Sequence, residues 1–203
     1  MAVYEDRFGW TAEEDDFHPV LTLIEGITED EVIRRFGGAP DAAGPLSLDE
    51  IHGRQPEYPE RRDHVGVGTV GGVVFALEFV GWTGAVPGVL RDLSRGGRCF
   101  GIHLDVHGRS TVHYAVDGGL VVHEEAYGPV TPLREGDTRW DPAWCDGLID
   151  VTDPTEFWGP KLFLLAERVM GTTIERPWFT GPLRTAEIPN AEVFENTPAW
   201  DIP

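Results

Sequence analysis

Lysine is almost absent from this chain: Lys161 stands alone among 16 basic residues in 203. Arginine supplies the rest, a usage that follows GC-rich codons and speaks to source, not chemistry. Acidic residues outnumber basic ones 35 to 16, giving a formal net charge of −19. The acids run from Glu5 to Asp201, so general attraction to phosphate backbones or anionic lipid is excluded. A nucleic-acid binder would need a local basic patch, and the nearest candidates, Arg61-Arg62 and Arg91-Arg95-Arg98, have acidic neighbours. Another protein with a basic surface is the better electrostatic match. Cysteine is also scarce, with only Cys99 and Cys145, and no apolar run approaches the ~20 residues of a membrane span. With no charged-then-apolar leader either, the expectation is a cytoplasmic protein whose thiols stay reduced.

The signatures of the common chemistries are missing too. There is no H-E-x-x-H, C-x-x-C, G-x-S-x-G or G-x-x-x-x-G-K-[ST], and the serines are Ser47, Ser94 and Ser110 alone. Ser94 ends a short helix, a poor setting for a nucleophile. Gly66, Gly68 and Gly71 have dinucleotide-fingerprint spacing, but the residues that follow, Val73 to Leu77, read as a strand and not the required helix. No catalytic residue and no cofactor is therefore assigned.

What is present has the pattern of one α+β domain. Val20 to Ile24 reads as a strand; Thr28 with Glu31 is a capping box opening a helix to Phe36; Ser47 with Glu50 opens another. Thr11 with Glu14 resembles a third box. Val65 to Thr69 and Val73 to Val80 flank Gly71-Gly72 as a hairpin, and Pro87 to Leu93 is a short amphipathic helix. Cys99 to Val106, Thr111 to Val116 and Leu120 to Glu124 follow as an antiparallel meander, and Leu162 to Met170 forms a core-packing helix. The predicted fold is an antiparallel β-meander sheet with several short helices packed against it, a single domain over residues 1–184. Residues 185–203 show no period and carry Ile188, Val193, Phe194 and Trp200 among prolines, so they read as an extended tail packed on the domain or on a partner.

The meander holds the candidate site. Along Phe100 to Val106 the even residues are apolar and the odd ones polar, so His103, Asp105 and His107 share a face. Keeping Val112, Tyr114 and Val116 with the apolar set puts Asp105 opposite His113 and leaves the polar set on the outer face, with His123 a further member of ambiguous register. Such a cluster can ligate zinc or iron, do acid–base chemistry, bind a partner in a pH-sensitive way, or be an idle polar face, solvated or partly covered by the chain's own loops. No stoichiometric metal is expected. Glu78, inside an apolar strand, needs a partner, and Arg95 or Arg98 is the expected one. Cys99 reads as a small hydrophobe of the sheet. Trp82 and Trp200 are either buried or anchors of an interface.

Glu25-Gly26-Ile27-Thr28 running into Glu31 to Gly37, Glu78 with Gly81-Trp82, Leu93 to Gly96, and Tyr114-Ala115 with Asp117-Gly118 resemble an uncharacterised actinobacterial family, the domain-of-unknown-function family 6461, over roughly Val20 to Leu183. The resemblance implies a bacterial source and no mechanism. The family's pattern carries amides at the positions of Asp105 and His107, so it does not imply those two as a shared site. The leading functional expectation is a non-enzymatic, acidic, immunity-like or regulatory domain that binds another protein. The binding candidates are His103, Asp105, His107, His113, Glu78, Trp82 and Trp200. The alternative is a small metal-binding or acid–base enzyme centred on the histidine face, and a purely structural subunit is a third reading.

Overall fold

The computed structural model describes residues 7–12, 18–54, 62–105, 110–125, 130–148 and 159–202. Among them eight strands form one antiparallel sheet: β1 Val20–Ile24, β2 Gly44–Leu46, β3 Asp63–Val70, β4 Val73–Glu78, β5 Arg98–His103, β6 Thr111–Val116, β7 Gly119–Glu125 and β8 Leu183–Ile188, in the order β2-β8-β3-β4-β1-β5-β6-β7. Five α-helices accompany it: α1 Glu29–Arg35, α2 Leu48–Gly53, α3 Pro87–Leu93, α4 Gly159–Met170 and α5 Pro177–Thr180. This is the single α+β domain expected. Glu14, Arg61, Val106, His107 and Trp158 lie outside the described residues.

Local chemistry explains the elements. Thr28 accepts the Glu31 amide at the head of α1, and Glu29, Asp30 and Glu31 load its first turn with the charge that suits a helix N-terminus. Ser47 and Glu50 close a reciprocal box at α2. Gly71 and Gly72 both take positive φ, 60° and 87°, as a two-residue type I′ hairpin demands. Gly68 is a packing glycine: a Cβ there would run into the Phe75 ring across the hairpin.

Alternation along the strands sorts residues into two cores. Leu21, Leu23, Phe75, Leu77, Phe100, Ile102, Val112 and Tyr114 point to one face, covered by α4, α5 and Trp140. Phe75 lies stacked on Trp178 there at 4.3 Å. Ile24, Val65, Val74, Ala76, Cys99 and Ala115 point to the other, covered by α1 and α3. A fully buried aliphatic contributes about 1.5–3 kcal/mol, so each side of the sheet is a substantial source of stability.

The face assignment of the meander follows the expected parity, with Leu104 in the first core at 4% exposure. Its register does not. Gly101, not Asp105, stands opposite His113, and His103 pairs with Thr111. The hydrophobic pattern fixes a register only to within steps of two residues, and here β5 stops at His103 and leaves a longer connection than the three-residue loop expected. In β7 a bulge explains the three consecutive apolar residues: Tyr114 pairs with Val122 and Ala115 with Leu120, so Val121 and Val122 both face the first core while Leu120 faces the second.

The boundary before Thr185 falls inside β8, which is inserted between β2 and β3. Thr185 to Ile188 are therefore strand and not irregular tail. Beyond them the chain turns at Ala191–Phe194 and runs back across α3: Gly88 N–H donates to the Ala199 carbonyl at 2.6 Å, and Arg91 donates to the carbonyls of Asp201 and Pro198. Removing residues 191–203 should leave a folded protein whose melting temperature is lower by about 2–8 °C, as about 1–2 kcal/mol of lost packing implies at this size. Ending the chain at Leu183, which deletes most of β8, should abolish cooperative unfolding; full thermal stability in that truncation would contradict the sheet order.

Candidate functional site

The polar residues of the meander lie on the second face, which is partly covered, with His103, Asp105 and His123 half-buried. His113 is 1% exposed, beside Gly101 on β5 and opposite His123 on β7, their imidazole rings 4.5 Å apart. His103 lies one row further along, opposite Val20 on β1 and Thr111 on β6. The chain entering β1 extends this row, because Leu104 N–H donates to the Pro19 carbonyl and draws His18 alongside. The covering layer here is the loop after β4, α3 and the end of the tail. Between that layer and the sheet is a cavity of about 760 Å³.

Five of the seven sequence candidates line it: His103, Asp105, His113, Trp82 and Trp200. His107 lies outside the described residues, and Glu78 is not among the lining residues. The cavity also takes in His18, Phe79, Ala85 and His123, together with Ile202 from the tail. His18 had a sequence signal, since it alternates with Val20 and Thr22 onto one face. Trp200 and Ile202 had none, because only the tertiary course of the tail brings them there.

Glu78 corrects an expectation. Its carboxylate pairs with neither arginine: Arg98 is bidentate to Glu25 at 2.8 Å, and Arg95 meets Asp92. The chain doubles back immediately after β4, so backbone amides reach the carboxylate first. Oε1 accepts from Thr83 N–H at 2.9 Å and Oε2 from Gly84 N–H at 2.6 Å, in the short 3-10 turn Thr83–Ala85. Gly84 permits this approach, since a Cβ there would sit 2.7 Å from Thr22 Oγ1 and 2.8 Å from Glu78 Oε2. The glutamate thus pins the turn that roofs the cavity.

Burial sets the protonation states. It holds the His113 imidazole well below its ordinary value, with His123 and His103 adding to the effect, and it lowers His123 in the same way. His103 is lowered by burial against an upward pull from Asp105, with His18 pushing down. At neutral pH these three rings are uncharged, and each offers one donor and one acceptor nitrogen. His113 Nε2 meets Thr111 Oγ1 at 3.0 Å, whereas the Nδ1 atoms of His113 and His123 are buried without a hydrogen-bond partner. Cys99 is a buried free thiol pushed up to about 12 by burial, which makes it a packing residue; Cys145 is also free. Among the described residues no three His, Cys, Asp or Glu side chains are placed to share a metal ion. No helix among them is long and apolar enough to cross a membrane.

Burial pushes the Glu78 carboxyl up to about 8, against the downward pull of the two amides and with Asp63 adding to the rise. A folded value above the ordinary 4.5 means that this group's stabilising contribution is complete below about pH 4.5 and is lost as pH rises through about 8. Glu78→Gln replaces one acceptor by a donor facing a backbone N–H and should cost about 1–3 kcal/mol at pH 6. The stability gap between wild type and variant should narrow towards pH 9; urea midpoints showing a constant or widening gap would contradict the placement of Glu78.

No curated protein and no solved structure matches this chain. A family model does, over residues 1–153, a span that holds β1 to β7, the turn on Glu78 and every cavity residue except Trp200 and Ile202. The chain belongs to the family of unknown function DUF6461.

Proposed function

We propose that this domain is a non-catalytic binding protein whose ligand occupies the cavity between the sheet and the tail. The observation that carries the reading is the cavity itself. Its volume of about 760 Å³ lies within the range of roughly 300–1,000 Å³ that small organic ligands use, and its walls combine indole and aliphatic surface with a few convergent polar groups. Against an acid–base enzyme stands the engagement of the most perturbed carboxylate, Glu78, with the roof turn and not with the cavity. The arginine-rich composition and free thiols support a bacterial, and specifically actinobacterial, cytoplasm as the setting.

A second reading keeps the partner a protein. Val193, Trp200 and Ile202 are exposed at 57%, 42% and 49%, and the net charge of −19 would steer a basic surface towards them, so this reading also serves an immunity-like or regulatory role. An association rate indifferent to ionic strength would remove it.

The cavity reading is tested with a panel of fused-ring aromatic fragments, read by melting temperature and tryptophan fluorescence. Ala85 lines the cavity, and Ala85→Phe fills part of it. At least one fragment should raise the wild-type melting temperature, since ligand at about 100 times its Kd adds about 2.7 kcal/mol, and Ala85→Phe should abolish the shift. A panel without hits, or hits that the variant leaves unchanged, would contradict the reading.

A further inference from the structure

Two side chains of the cavity wall come from a segment that rests on α3. Beyond β8 the chain passes the 3-10 turn Ala191–Phe194, takes a left-handed residue at Asn196 (φ 58°) and lays Pro198 to Asp201 along the helix. Three hydrogen bonds tie it there, each to a backbone carbonyl of the segment: Gly88 N–H to Ala199 at 2.6 Å, and the Arg91 guanidinium to Asp201 at 2.7 Å and to Pro198 at 3.2 Å. Gly88 makes the contact possible. A Cβ at that position would lie 2.7 Å from the Ala199 Cα and 2.9 Å from its carbonyl oxygen, so a larger residue would push the segment off. Glycine is also a poor helix former, and its presence in the first turn of α3 is explained by the chain lying against it.

The hold is light where the segment meets the cavity. Trp200 and Ile202 line it, yet they stay 42% and 49% exposed, so they stand at its rim between ligand space and solvent. The other walls lie within the family span of residues 1–153, and β8, from which the segment leaves, is fixed in the sheet by β2 and β3. The segment can therefore lift away with the sheet and the remaining walls in place. Resting on the binding reading above, we propose that residues 195–202 are an autoinhibitory strap: docked on α3 they take up part of the ligand's place with Trp200 and Ile202, and binding requires their release. The apparent affinity of the cavity is then the open-state affinity multiplied by the fraction of molecules in which the strap is free.

The Gly88 amide reports docking, because a donor in the first helical turn has no partner inside the helix and here depends on the Ala199 carbonyl. The test uses the full chain at pH 7.5, with amide hydrogen exchange at position 88 and titration with N-phenyl-1-naphthylamine, a neutral probe that brightens in apolar surroundings. Gly88→Ala improves the helix and crowds Ala199, so it should speed exchange at position 88 by at least about tenfold and tighten probe binding by at least about fivefold. Arg91→Ala, which removes the other two bonds, should move both readouts the same way, and Ala85→Phe added to Gly88→Ala should abolish probe binding. Fast exchange at Gly88 in the wild type, or exchange unchanged in both variants, would overturn the strap and leave the cavity reading standing. Equal or weaker probe binding in a variant whose exchange has quickened would do the same, since the segment would then be a wall and not an inhibitor. Binding that survives Ala85→Phe would place the probe elsewhere and overturn the strap as well. Absence of probe binding by wild type and variants would overturn it, and the cavity reading would fall with it only if the fragment panel were also silent.

Discussion

The burial of β1 on both faces and both edges is the constraint on which the rest depends. Val20 to Ile24 hydrogen-bond to β4 on one side and β5 on the other, and all five residues are buried. A strand so placed must satisfy every backbone group through the ladder, so its neighbours have to be in register along its whole length. It thereby joins a hairpin, β3–β4, to a meander, β5–β7, that would otherwise be separate small sheets with exposed edges. Leu21 and Leu23 feed one core and Ile24 the other, so each face needs its own covering layer.

The cavity follows from an imbalance between those layers. On the first face the twelve-residue α4 and a set of aromatic rings fill the space against the sheet. On the second face the covering elements are the seven-residue helices α1 and α3, and beyond α3 the sheet continues as a patch carrying His103, His113 and His123. The roof over that patch is the turn pinned by Glu78 and the returning tail. Glu78 and His113 are thus fully buried on this face, with His103 and His123 half-buried beside them. Neutral imidazoles are the low-cost answer for the ring nitrogens, and for Glu78 a carboxyl that burial keeps largely protonated at neutral pH beside two backbone amides.

The elements with local causes were legible in the sequence. The Thr28 and Ser47 boxes, the Gly71-Gly72 turn and the limits of α3 follow from residues within a few positions of each other, and the structure has each of them. Parity along β5 and β6 was legible because both cores reward it. Three features were not. The step-of-two register of the β5–β6 pair depends on the connecting loop, which the hydrophobic pattern does not constrain. β8 reads as tail because its pattern, Leu-Arg-Thr-Ala-Glu-Ile, alternates weakly and its partners β2 and β3 lie more than 100 residues away in sequence. Glu78 drew an arginine in expectation because opposite charge is the obvious partner, whereas the carboxylate is met by amides five and six residues ahead. The candidate site was legible as a list of five residues and illegible as a cavity, since alternation tells which residues share a face but not what covers it.

The central claim is that the histidine face is covered and its rings are largely desolvated. Long-range proton–nitrogen NMR of the imidazole rings tests it most directly, because it reads protonation and tautomer for each histidine as pH is lowered. Burial predicts that both His113 and His123 titrate below the ordinary histidine value, each in one fixed tautomer, with His113 the last to protonate. Both rings titrating together near 6.5 as averaging tautomers would show a solvated sheet face and contradict the account.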